Sequence, residues 1–147
     1  MNRRLILASD HAGFALKERL KKTLDRLGVP YEDLGTHSTD PVDYPDYARK
    51  VAEVVSREEV ERGVLVCGSG QGMAMTANRY RGVRAALAYD EESARLSRAH
   101  NDSNVLALGG RMLDHERAER ILETWLVAPF EGGRHATRVL KIDPAQD

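Results

Sequence analysis

The segment Val64-Leu65-Val66-Cys67-Gly68-Ser69-Gly70-Gln71-Gly72-Met73 carries an apolar run straight into a turn with glycine at alternate positions. Four aliphatic or sulfur side chains in a row read as a strand buried on both faces, and the glycines that follow read as a strand-to-helix turn. The spacing then predicts a helix over 73–78, whose positive end would face whatever anion approaches. Glycine leaves backbone N–H groups unshielded. Within a few residues the segment offers a thiol at Cys67, a hydroxyl at Ser69 and a cradle for negative charge.

Outward from this segment, short aliphatic runs alternate with longer stretches of helical period. Strands are expected at 5–8, 31–34, 64–67, 84–88 and 105–108. Leu16, Leu20, Leu24 and Leu27 mark one face of a first helix that Gly28 and Pro30 end. Tyr47, Val51, Val54 and Val55 form a second stripe, and Ala118, Ile121, Leu122, Trp125 and Leu126 a later one; all read as core. A last helix is expected from about Arg134 towards Ile142. Strands alternating with helices predict an α/β fold, a three-layer α/β/α sandwich around a five-stranded parallel sheet. The chain reads as one domain over 1–147, without repeats or linkers; the longest irregular piece, 35–45, holds two prolines.

Composition excludes whole classes of function. The 22 basic and 23 acidic side chains leave a net charge of −1, so nothing draws the chain to nucleic acid or to an anionic membrane. One cysteine cannot close an internal disulfide, which suits a cytoplasmic setting. Arg3-Arg4 resembles the start of an export signal, but the apolar run behind it stops at Ser9-Asp10-His11, too short for one.

In open parallel sheets ligands bind outside the carboxyl ends of the strands. Those ends carry Asp10-His11, the glycine segment, Asp90 and Gly109-Gly110-Arg111, with His100-Asn101-Asp102 closing the helix after the fourth strand. The first and third groups are expected to converge. Each feature has a plainer reading: Cys67 as a small buried hydrophobe, Asp10 as the cap of the first helix, His100 as the end of its own. The place of Cys67 before a glycine turn and a helix start favours a reactive thiolate instead. Histidine spacing matches no zinc pattern, so no metal is expected. Arg134 and Arg138 share a helix face and repel unless an anion lies between them, which suggests a phosphate handle. A dinucleotide fingerprint fails because its third glycine would fall at Met73.

Ser9-Asp10-His11-Ala12-Gly13, the segment from Cys67 to Met73 with Ala77-Asn78, Arg84-Ala85-Ala86-Leu87 and His100-Asn101-Asp102-Ser103-Asn104-Val105 together resemble the RpiB/LacAB family of sugar-phosphate isomerases. The resemblance runs in order along nearly the whole chain. It implies a Rossmann-like fold, homodimers or dimers of dimers with shared active sites, and cofactor-free interconversion of ribose 5-phosphate and ribulose 5-phosphate. It further implies Cys67 as the base moving a proton between C2 and C1, Ser69 as a proton shuttle, and Asp10 and His100 as aids to ring opening. Amides of Gly68, Ser69, Gly70, Gln71 and Gly72, with Asn101, would hold the enediolate. His11, Arg134 and Arg138 would hold the phosphate, Arg111 would line the same pocket, and Tyr44, in the long loop, would border the sugar. A branch of the family that uses an acidic base has it at the place of Met73, so the resemblance is to the cysteine branch. Gln71 stands where relatives often carry a small apolar residue, so the alternatives are isomerisation of allose 6-phosphate or galactose 6-phosphate, or a non-catalytic binding module for a sugar phosphate or nucleotide.

Overall fold

The structure, a computed structural model, describes residues 4–146; Arg3 of the double arginine lies outside them. In chain order the elements are β1 (Leu5–Ser9), α1 (Phe14–Leu27), β2 (Tyr31–Asp33), α2 (Tyr44–Ser56), β3 (Gly63–Cys67), α3 (Gln71–Ala77), β4 (Ala85–Leu87), α4 (Glu91–Ala99), β5 (Val105–Gly109), α5 (His115–Val127) and α6 (Arg134–Leu140). The five strands form one parallel sheet in the order β2-β1-β3-β5-β4.

Alternation along the strands divides the interior. Leu5, Leu7, Val64, Val66, Leu106 and Leu108 pack with Leu16, Leu20 and Leu24 of α1 and Ile121, Leu122 and Trp125 of α5. Ile6, Ala8, Leu65 and Cys67 face the other way, against Val51 and Val55 of α2 and Met73 and Ala77 of α3. Successive strand side chains point to opposite faces, so central strands sandwiched between helices must be apolar throughout. β1, β3 and β5 are buried at every position. The indole N–H of the fully buried Trp125 donates to Ser103 Oγ, which shares a hydrogen bond with Ser97, so the heart of this core leaves no orphaned donor there.

The chain turns outward to β2 on one side of β1 and onward through β3 to β5 and β4 on the other. The carboxyl ends of β1 and β3 therefore flank the point where connections diverge, and a crevice opens between them. Ser9 pairs with Val66 and Cys67 with Gly109, which sets Asp10 and the glycine segment side by side above the sheet.

Local differences from the expected elements have local causes. α2 begins at Tyr44, because Pro45 occupies its first turn, where a fixed φ and a missing N–H cost nothing. α3 begins two residues early, at Gln71, with Gly70 as its N-cap at φ +83°, a backbone state open to glycine. Asp10 does not cap α1: that place belongs to Gly13, and Asp10 Oδ1 instead accepts from the Gly13 amide at 3.0 Å. α6 stops at Leu140, short of Ile142.

Candidate active site

A cleft of about 480 Å³ lies over the carboxyl ends of β1 and β3, lined by Asp10, Tyr44, Cys67, Gly68, Ser69, Gly72, Arg111 and Met112. Cys67 is only 4% exposed, yet it contributes to this lining. The Gly70 amide donates to Cys67 Sγ at 3.1 Å. A hydrogen aimed at sulfur stabilises negative charge there and fixes the side chain's direction. The Gln71 amide donates to Ser69 Oγ at 3.3 Å, and the Tyr89 hydroxyl donates to the Ser69 carbonyl at 3.0 Å, so the turn is held from both sides.

Each wall of the cleft comes from a different element. The Gly110 amide bonds the Cys67 carbonyl at 2.7 Å and the Arg111 amide the Gly68 carbonyl at 2.9 Å, which folds the loop after β5 over the loop after β3. This closure delivers the Arg111 guanidinium, whose Nη1 lies 3.6 Å from where a side chain on Gly68 would begin. Opposite, the Tyr44 ring rests against Gly72, where any Cβ would overlap it. Tyr44 thus borders the cleft from the first turn of α2 rather than from a loop. His11 stands just beyond, its Nδ1 accepting from the Val42 amide at 3.1 Å. In the neutral ring that bond leaves the proton on Nε2, a donor suited to an anionic oxygen.

Beneath the long loop sits a charged cluster that sequence reasoning missed. Lys17 is fully buried, and its Nζ donates to Asp33 Oδ1 at 2.6 Å and to the Thr36 carbonyl at 2.7 Å; Lys21 reaches Asp33 Oδ2 at 2.9 Å. The segment so anchored continues the pairing with β1: the Ser9 amide bonds the Gly35 carbonyl and the Thr36 amide the Ser9 carbonyl, one residue from Asp10. Burial alone would raise the Asp33 carboxyl, but bonds from Lys17, the Gly35 amide and Lys21 outweigh it and hold the group below its ordinary value. A carboxylate depressed in the folded state stabilises above its unfolded pKa, and that contribution fades as pH falls through the folded value. Lys17→Met is therefore expected to cost about 3 kcal/mol near pH 7, with the gap to the parent protein narrowing below the ordinary carboxylate range. Urea midpoints at the two pH values measure it.

The remaining expected site residues lie at the other edge of the sheet. α4 leaves the carboxyl end of β4 and runs back, so its C-cap His100 emerges about 13 Å further along, near the amino ends of the strands. The Glu131 amide bonds the Ala99 carbonyl at 3.0 Å, which brings α6 to that same edge. There Arg134 and Arg138 are exposed on one face of α6, and Asn101 lines a separate cavity with Asn78, Ala85 and Asp143. None of His11, Gly70, Gln71, His100, Asn101, Arg134 and Arg138 lines the Cys67 cleft of its own chain. By sequence His100 groups with the strand ends; the return direction of α4 puts it opposite.

His100 stacks on His135, ring centres 4.2 Å apart and planes 12° from parallel. Burial, with Arg134 and His100 nearby, holds His135 below the ordinary histidine value. A cavity of about 680 Å³, lined mainly by Leu5, Leu27, Val29, Leu126 and Val127 with Arg62, is at this edge too and brings no catalytic group together.

No helix among the described residues is long and apolar enough to cross a membrane. A model of the ribose/galactose isomerase family matches residues 5–142. The chain is 44% identical over 137 residues to ribose-5-phosphate isomerase B of Escherichia coli, covering 93% of this chain and 92% of that protein. It superposes with TM-score 0.94 on the crystal structure of a ribose 5-phosphate isomerase from Thermotoga maritima, at 48% identity and covering 99% and 100% of the two chains. With TM-score 0.91 it matches, at 39% identity over 97% and 95% of the two chains, ribose-5-phosphate isomerase B from Mycoplasma genitalium, whose crystal structure holds bound ribulose 5-phosphate.

Proposed function

The chain belongs to the ribose/galactose isomerase family, and from that premise we propose that it interconverts ribose 5-phosphate and ribulose 5-phosphate through an enediolate, with Cys67 as the base. The observation that carries this reading is the Cys67 sulfur, bonded by the Gly70 amide, in one cleft with Asp10 and Ser69.

The closed sugar has no carbonyl to acidify its C–H bonds, so the ring opens first. Asp10 and His100 assist, one accepting the proton of the anomeric hydroxyl as the other delivers a proton to the ring oxygen. Cys67 thiolate then takes the proton from C2, and negative charge spreads over the O1–C1–C2–O2 unit. Amides of the segment from Gly68 to Gly72, with Asn101, hold that charge; a fixed donor of this kind is worth on the order of 10²–10³ in rate. Ser69 relays a proton between the two oxygens, and the Cys67 thiol returns its proton to C1. No atom is gained or lost. His11, Arg111, Arg134 and Arg138 hold the phosphate.

His100, Asn101, Arg134 and Arg138 sit at the far edge of the sheet from Cys67, so this assignment requires a second copy to supply them. We accordingly place the active site between two subunits of a homodimer, the 1–147 domain giving Asp10, His11, Cys67, the glycine turn and Arg111 to one site and His100, Asn101, Arg134 and Arg138 to the other. Closing the cleft with a second subunit also excludes water from the enediolate, where phosphate elimination competes with reprotonation.

Assays of ribose 5-phosphate, allose 6-phosphate and galactose 6-phosphate side by side test the substrate. Ribose 5-phosphate is expected to give the highest kcat/KM, by about tenfold or more. A six-carbon preference would transfer the reading to those sugars and point to Gln71, at the exposed start of α3.

A further inference from the structure

At the far edge of the sheet, His100 Nε2 and His135 Nε2 lie 3.9 and 3.8 Å from Glu131 Oε1, and all three ligand atoms fall within 4.8 Å of one another. From this cluster we infer a binding site for a divalent transition cation of the Zn²⁺ type, ligated by His100, Glu131 and His135.

A second observation points the same way. The His135 side chain is 9% exposed, and among the described residues its Nε2 has no hydrogen-bond partner although it is buried. A buried nitrogen without a partner destabilises the fold, and an occupant would recover that cost. Glu131 stands too far from it for a hydrogen bond and near enough to share a cation. Tetrahedral zinc, with bonds of about 2.0–2.1 Å, holds its ligand atoms roughly 3.3 Å apart. Each histidine nitrogen therefore closes on the Glu131 oxygen by about half an ångström, the two histidine nitrogens, within 4.8 Å of each other, close as well, and the His100 ring tilts out of its stack. With its side chain 38% exposed and Glu131 51% exposed, both have room to move while His135 stays fixed. Two imidazoles and one carboxylate favour zinc, cobalt, nickel or copper over calcium or magnesium, which rely on several oxygens. The flanking Arg134 and Arg138 add to that discrimination, since a cation held only by charge would be repelled. Sequence spacing hid the site because its ligands come from the end of α4, from the loop before α6 and from the start of α6.

One consequence rests on the proposed function: a cation on His100 removes the imidazole from ring opening, so the metal inhibits. The experiment titrates Co²⁺ into the metal-free, full-length protein. The expected result is one ion per chain with the intense visible bands of tetrahedral cobalt, retained in Cys67→Ser and lost in both His135→Ala and Glu131→Gln. The second variant changes an exposed side chain and guards against misfolding in the first. Absence of binding, or a thiolate charge-transfer band that vanishes in Cys67→Ser, would overturn the site. Turnover with Zn²⁺ separates the two ideas: at least a tenfold loss in the parent chain, reversed by chelation and absent in Glu131→Gln, is expected. Tetrahedral binding without inhibition leaves the metal site standing and removes His100 from ring opening.

Discussion

Cys67→Ala is expected to bind ribose 5-phosphate within a few-fold of the parent affinity and to lose turnover by about 10²–10⁴. The separation follows from where the groups sit. In the proposed site affinity comes from the arginines and from His11, which the substitution does not touch. The proposed base is one atom on a β3 side chain, with no second thiol in the chain to replace it. Removing a sulfur that is buried on the Met73 side of the core costs some packing, so circular dichroism and the urea midpoint accompany the kinetics. Turnover close to that of the parent would remove Cys67 from proton transfer. Weakened binding with unchanged kcat would make it a wall of the cleft only.

The second large effect is a recovery. Cys67→Ala and His100→Ala proteins are each expected to be inactive. If Cys67 of one subunit works with His100 of the next, a heterodimer of the two variants holds one site with both lesions and one with none. Random reassortment of an equal mixture makes half the dimers mixed, so activity returns to about a quarter of the parent level. No recovery after denaturation and refolding together, with mixed dimers verified by mass, would mean that each site is built within one chain. The topology favours recovery: within a chain, a helix leaving the carboxyl end of a strand cannot end at that same edge.

Much of this was legible in the sequence, for identifiable reasons. β1, β3 and β5 are covered on both faces, so each appears as an unbroken apolar run that polar residues terminate sharply. Edge strands gave blurred ends: β4, half-buried throughout, is Ala85–Leu87 where 84–88 was expected. The convergence of Asp10 with Cys67 followed from the rule for crevices in parallel sheets, once the order of strands was granted. Tyr44 reads as a loop residue because Pro45 reads equally as a breaker and as a first-turn residue.

What the sequence concealed depends on distant partners. Lys17, between Ala15-Leu16 and Glu18, has the pattern of a solvated helix residue, and only Asp33 and the Thr36 carbonyl make its burial tolerable. Met112 reaches the cleft only because the loop after β5 is tied to the Cys67 turn. His135 reads as one more polar residue of α6 until the end of α4 brings His100 against it.

Solvent deuterium tests proton transfer by Cys67 most directly. Ribose 5-phosphate is incubated with the protein in D₂O, and ribulose 5-phosphate and recovered substrate are examined by NMR and mass spectrometry. Proton transfer through an enediolate predicts deuterium at C1 of the ketose and, after many turnovers, at C2 of the aldose, with neither in Cys67→Ala. Deuterium entering C1 as fast in Cys67→Ala as in the parent protein would contradict a thiol base.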